Sequence, residues 1–487
     1  MKANKKTVTS NVLWRFFERT GNQGVSFIIS LVLARLLNPE VYGVVALVTV
    51  FTVILQVFVI CGFSGALVQK KNPDSIDYSS VFYFNLFSCT VLYTLLFACA
   101  PAIARFYEMP DLIPLVRVMG LTLIIAGVNN MQQVYASKNL LFKKFFFATL
   151  GGTIGAAGIG IWMAYNGYGV WALVVQNLFN MTVDTIILWF TVKWRPTKEF
   201  SINRLKVLFS YGWKMLASNI LDVTQNKVRQ LIIGKMYSAE DLAFYNKGDT
   251  FPNLMVTNIN TSIDNVLFPS MSTVQDDLPA LKNMTRLSIK ASTYLLMPMM
   301  VGLAVCAEPV IRLILTEKWL PCVPFLRIFC FTYAFYPVHT SNLSAIKALG
   351  RSDIFLKLEI IKKAVGLAAI LSTMWFGVMA MAYSLLFTSV AGQIINSFPN
   401  KKLLRYSYLE QLKDMLPNIV LSLFMGAAVF PISFIQVSDI IKLIIQVPLG
   451  MAIYFGLSKL FKMESFEYVL SIAKSFIKKR NKKETAE

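Results

Sequence analysis

Histidine is nearly missing from this chain, with one residue, His339, in 487. Six cysteines are present (Cys61, Cys89, Cys99, Cys306, Cys322 and Cys330), and none stands in a CxxC spacing. Together these shortages exclude a zinc-like ligand set, and neither a metal nor another cofactor is expected. The cysteines fall in or beside apolar segments and are read as packing residues, although Cys306 and Cys322 are spaced to meet near one end of their helices. Charge is also scarce, at 15% of residues, where soluble chains carry about 25%. Acids are the scarcer sign: 26 Asp and Glu stand against 47 Lys and Arg, a formal net charge of +21. In a soluble protein that surplus points to nucleic acid. No DxD motif and no long polar stretch is present, which argues against a glycosyltransferase or polymerase.

What the sequence has instead is apolar length. Hydrophobic residues make up 56% of it and the mean hydropathy is +0.57. Apolar runs such as Val44 to Cys61 recur throughout, so the fold class is an all-α polytopic membrane protein. The basic start "MKANKKTVTS" is not followed by a short apolar core with a small-residue cleavage site, and the first helix is expected to be retained. Spans of about 20 residues fit near 12–36, 43–67, 79–104, 111–137, 146–165, 168–192 and 205–235. Seven more follow near 240–268, 285–306, 321–346, 354–375, 377–398, 412–433 and 438–459, giving fourteen.

Basic residues test that count. Lys70–Lys71, Lys138 to Lys144, Lys193 to Lys206, Lys282–Arg286, Lys347 to Lys357, Lys401 to Lys413 and the tail all fall on one side. The alternate connectors hold little beyond Arg35, Arg105, Lys235, Arg312 and Lys318. By the positive-inside rule both termini are cytoplasmic. The basic surplus is therefore mainly a topology signal with contact to anionic membrane lipids, and nucleic acid is not a partner.

The chain also repeats itself. "LARLLNPEVYG" (Leu33 to Gly43) is echoed 200 residues later by "IGKMYSAEDLA" (Ile233 to Ala243), each with a cation at the helix exit and an acid five residues on. Trp14–Arg15 is echoed by Trp213–Lys214, and "CAPAIARFY" by "CAEPVIRLI". Six helices separate the copies, so both have one orientation, as halves related by an axis along the membrane normal do. The expected domains are 1–200 and 201–400 as two six-helix lobes, 401–460 as two further helices, and 461–487 as a basic cytoplasmic tail.

Polar residues interrupt only some spans. Helix seven carries Asn219, Asp222, Asn226 and Arg229 at spacings of three and four, with Lys227 beside them. Helix eight carries Asn246, Lys247, Asp249, Asn253, Thr257, Asn260 and Asp264, and helix one Arg15, Glu18, Arg19 and Asn22. Each set makes a stripe on one helical face. Since a charge near the bilayer centre costs roughly 2.5–3.5 kcal/mol on insertion scales, these stripes must face protein or water. Asp222 with Arg229, or Glu18 with Arg15 and Arg19, are candidate internal ion pairs. The amides and cations outnumber such pairs, and a water-filled passage is the reading adopted. "NNMQQVYASK" (Asn129 to Lys138) is either an amide-rich end suited to hydroxyl-bearing ligands or a polar helix end at the membrane surface. His339, in "YPVHTSNLS", is read as a core or cavity-lining residue.

"LARLLNPEVYGVVALVTVF", "GFSGALVQKKN", "EKWLPCVPFLRI" and "ALGRSD" resemble the Wzx-type lipopolysaccharide and exopolysaccharide flippases, in the colanic-acid and teichuronic-acid exporter branch of the MATE-like superfamily. The resemblance covers nearly the whole chain and implies two six-helix lobes in a V plus two helices. It implies a non-enzymatic transporter in the bacterial inner membrane that moves an undecaprenyl-pyrophosphate-linked oligosaccharide outward. Lipid-linked oligosaccharide and the polysaccharide polymerase machinery are then the expected partners. The cations in the stripes, Arg15, Arg19, Lys214, Lys227, Arg229 and Lys247, suit a pyrophosphate; Glu18, Asn22, Asn219, Asp222, Asn226, Asp249, Asn253, Asn260 and Asp264 are the polar and coupling candidates. A MATE-type drug or cation antiporter is the alternative. It would need acids as the dominant cavity charge, and here cations match them.

Overall fold

The computed structural model describes the backbone of residues 5–60, 63–70, 73–471 and 474, and their side chains outside 5–20, 60, 68–69, 211, 214–215 and 262–266. Among the described residues every regular element is helical. Packing divides the chain into two compact units, Met1–Ala243 and Phe244–Glu487.

The first unit contains α1 (Lys5–Leu36), α2 (Pro39–Ile60), the short α3 (Phe63–Gln69), α4 (Ser75–Tyr107), α5 (Leu112–Lys138), α6 (Phe142–Tyr165), α7 (Val170–Thr191) and α8 (Ile202–Met236). It also holds the first turn of α9 (Ala239–Ser272). The second unit continues through α10 (Leu278–Val305), α11 (Ala307–Ile314), a 3₁₀ turn (Glu317–Cys322), α12 (Val323–Ala334) and α13 (Tyr336–Ala348). It closes with α14 (Ser352–Thr373), α15 (Val378–Leu403), α16 (Tyr408–Val429) and α17 (Asp439–Leu460).

Among the described residues ten helical stretches are long and apolar enough to cross a membrane. The four other long helices are α1, α8, α9 and α14. Each of the fourteen expected spans overlies one of these stretches. Large apolar side chains such as Phe190 on α7, Phe424 on α16 and Ile444 on α17 are exposed, as lipid-facing residues must be. One expected span is broken: 321–346 is the pair α12 and α13, separated at Phe335. Pro337 sits at the start of α13, and its ring and missing N–H end a helix running into it.

The repeat seen at offset 200 has a physical counterpart. The α1–α2 connection at Leu37–Asn38 and the α8–α9 connection at Tyr237–Ser238 are the same two-residue turn. In each the residue after the helix donates back four positions: Leu37 N to Leu33 O at 2.8 Å and Tyr237 N to Ile233 O at 2.9 Å.

Polar groups tie each unit internally. On α5, Asn129 donates to Asp184 at 2.8 Å, Asn130 to Val59 O at 2.7 Å and Ser64 Oγ at 2.8 Å, and Gln132 to Trp194 O at 3.3 Å. The amide-rich end of α5 therefore joins neighbouring helices, as polar side chains do between membrane helices. In the second unit Asn342, Ser397, Asn400 and Gln411 form a buried network across α13, α15 and α16. At the start of α4, Asp74 and Asp77 form a reciprocal capping box. Asp77 is fully buried and accepts from Lys70 at 2.5 Å and Arg204 at 3.2 Å, while Arg204 also pairs with Asp74. The Asp77 backbone N–H is the largest influence holding the Asp74 carboxyl below its ordinary range.

Replacing Asp77 by alanine removes a cap and the shared partner of two cations. The cations are about one-third exposed and can return to water. The expected loss is therefore about 2–3 kcal/mol, read as a lower melting temperature of the purified protein. An unchanged melting temperature would show that the cluster does not hold α4 to α8.

Candidate functional site

The polar stripes lie on α1, α8 and α9, three of the four long helices outside the ten apolar stretches. In the first unit Asn22 on α1 accepts from Thr153 on α6 at 2.6 Å. On α8, Arg229 is buried, Asp222 and Asn226 are exposed, and Asn219 is half-buried. Lys227 donates to Gln230 at 3.1 Å. The side chains of Arg15, Glu18, Arg19, Lys214 and Asp264 lie outside the described residues.

In the second unit the α9 stripe is a continuous hydrogen-bonded line. Asn253 donates to Asp249 at 3.1 Å and Thr257 to Asn253 at 2.7 Å, each bond spanning one helical turn. Tyr333 on α12 donates to Asp249 at 2.6 Å, and Thr340 on α13 to Asn260 at 2.6 Å. Lys247 is buried with its ammonium 5.4 Å from the centre of the Trp319 ring, a cation–π arrangement. Helices α9 and α12 come this close because Gly248 has no side chain. A Cβ there would stand 2.7 Å from Phe325 Cβ and 2.9 Å from Leu326 N.

Beside this line the break at Pro337 opens a cavity of about 390 Å³, walled by α9, α12, α13, α14 and α15. The break positions Tyr333, Tyr336, His339 and Thr340 on its wall, and Ser389 on α15 donates to the carbonyl of Thr332 next to it. α14 contributes Glu359 and Lys362, whose side chains pair at 2.6 Å. These two were not singled out from the sequence, although charges midway along an expected span were the available signal. His339 is a cavity-lining residue, its Nδ1 hydrogen-bonded to the Asn396 amide at 3.0 Å. Among the described residues no three His, Cys, Asp or Glu side chains group as a metal site.

The arrangement brings amides, hydroxyls and charged side chains together along membrane-spanning helices. Residues 32–324, more than half the chain, match the family described as Polysaccharide biosynthesis protein. The chain belongs to the polysaccharide biosynthesis protein family. Two relatives extend the match beyond the family segment. The succinoglycan biosynthesis transport protein ExoT of Rhizobium meliloti (strain 1021) is 25% identical over 72% of this chain and 71% of its own length. The lipopolysaccharide biosynthesis protein WzxC of Escherichia coli (strain K12) is 20% identical over 88% of this chain and 89% of its own. The solved lipid II flippase MurJ, in an inward closed conformation, superposes with a TM-score of 0.76 at 15% identity. That likeness covers 92% of this chain and 98% of MurJ, and it shows that this family member has the same fold.

Proposed function

We propose that this family member is a flippase of the bacterial inner membrane. It carries an undecaprenyl-pyrophosphate-linked oligosaccharide unit from the cytoplasmic to the outer leaflet for surface polysaccharide synthesis. One observation carries the reading: a polysaccharide biosynthesis chain has, along almost its whole length, the fold of a lipid II flippase. Its polar groups are concentrated along selected membrane helices, which gives a charged headgroup a route while the lipid tail stays in the bilayer. Without such a route a pyrophosphate faces a dielectric cost of many kcal/mol.

In this reading Arg15, Arg19, Lys214, Lys227, Arg229 and Lys247 meet the pyrophosphate, and Asp222 orients Arg229 and limits how tightly cargo is held. Transport proceeds by alternating access, and the polysaccharide polymerase receives the product on the outer side. Cations on α1 and α8 favour an anionic cargo over the organic cation of a drug antiporter. Deletion of the gene tests the function: lipid-linked saccharide should accumulate while surface polysaccharide disappears.

The orientation follows from the one-sided basic loops. Reporter fusions at Lys198 and Lys402 should report the cytoplasm and a fusion at Gly167 the outside. Reversed signals at these three positions would overturn the topology and the direction of transport with it.

A further inference from the structure

We propose that the cavity at the α12–α13 break is a binding site for one sugar ring of the cargo; the proposal rests on the flippase reading and adds to it where the saccharide is recognised. The volume, about 390 Å³, lies in the roughly 300–1,000 Å³ range of small-molecule sites. Its chemistry selects the ligand. Glu359 and Lys362 form an ion pair at 2.6 Å, so this site offers a carboxylate acceptor and an ammonium donor with no net charge. A pyrophosphate would require surplus cation and an organic cation surplus acid. A polyol ring uses both members of the pair, because each hydroxyl donates and accepts.

The rest of the wall fits the same ligand. Tyr333, Tyr336 and His339 stand in a row with successive ring centres 6.1 Å apart, giving aromatic surface for the apolar face of a ring. Tyr333 is held by Asp249, and Thr340 by Asn260, so the wall is ordered before cargo arrives. Asn396 Nδ2 lies 3.0 Å from His339 Nδ1 and fixes the ring on the wall. Nearby on α15, Asn396 Oδ1 and Gln393 Nε2 are buried without a hydrogen-bond partner among the described residues. Gly392 keeps space for the histidine, since a Cβ there would lie 3.1 Å from His339 Cε1. Ionisable side chains midway along a membrane helix are costly and mark functional positions; Glu359 and Lys362 line this cavity on α14 and are used by no other step of the mechanism.

The test is photo-crosslinking in producing cells with benzoylphenylalanine at position 336, followed by mass spectrometry of the purified chain. An adduct whose fragments lose hexose, hexosamine or uronate masses is expected with the probe at position 336. None is expected at Ile360, which is exposed on α14 and does not line the cavity. In parallel, Tyr336→Leu and Thr340→Val should each export roughly tenfold less, the scale of one lost polar or ring contact, at unchanged abundance. The same saccharide adduct at Ile360, or wild-type export by Tyr336→Leu without a sugar adduct at 336, would overturn the proposal. The flippase reading fails separately, if deletion of the gene leaves lipid-linked saccharide at its ordinary level.

Discussion

Gly43→Val is expected to abolish export while Gly158→Ala, on α6, leaves it intact. Gly43, on α2, packs directly against the turn between α8 and α9. A Cβ at this position would stand 1.6 Å from Ala239 O and 2.3 Å from Ala239 C, both backbone atoms. One turn further along α2, Leu47 fills the space above Gly234, where a Cβ would lie 2.0 Å from Leu47 Cδ2. Two glycines thus let α2 and α8 approach as closely as small residues allow membrane helices to. Overpacking a core costs about 1–3 kcal/mol when side chains can give way; here a carbonyl is in the way and the turn itself has to move. A cysteine at Ser238 should then react faster with a water-soluble maleimide in Gly43→Val than in the parent. Gly43→Ala should show the same change to a smaller degree. Gly158 meets nothing within 4 Å, and alanine there gains up to about 1 kcal/mol of helix propensity. Normal export by Gly43→Val would show that this packing does not persist through the transport cycle.

The second large effect is expected at the cations. Arg229 is buried on α8, and Arg15 and Arg19 stand one turn apart on α1. A guanidinium offers a phosphate two parallel charge-assisted bonds, which an ammonium cannot match geometrically. Each such bond is worth about 1.5–3 kcal/mol, or roughly ten- to hundredfold in binding. Arg15→Gln, Arg19→Gln and Arg229→Gln should therefore reach the membrane at normal levels and accumulate cytoplasm-facing intermediate, with the lysine variants in between. Surface polysaccharide and membrane abundance measured together separate the outcomes. Normal export in all three variants would remove these residues from the cargo path. Loss of the protein from the membrane would assign them to folding, as removal of one partner of a buried ion pair does.

The helical architecture was legible from sequence because its signals are local. Apolar runs and the Gly, Pro and charge clusters between them placed each long helix, and the echo of Leu33–Gly43 in Ile233–Ala243 corresponds to one turn used twice. Where partners come from other helices, spacing alone could not find them. The amides of Asn129, Asn130 and Gln132 join α5 to its neighbours, and periodicity along α5 carries no trace of that. Pro337 was visible inside an expected span, yet its consequence, a break walled by five helices, depends on packing. Glu359 and Lys362 were passed over because the helix was read by its apolar residues. For the α9 stripe, the single face was foreseen; its bonds to Tyr333 and Thr340 required the fold.

The most direct test of the central claim is the sidedness of lipid-linked saccharide after depletion of this protein. Spheroplasts from depleted cells would be probed with a membrane-impermeant lectin or glycosidase before and after lysis. A flippase predicts accumulated saccharide that becomes accessible only on lysis, and recovery of outward-facing saccharide when the wild-type chain is restored. Saccharide that is already accessible on the outer surface of intact depleted spheroplasts would contradict translocation as the function and place the chain at a later step.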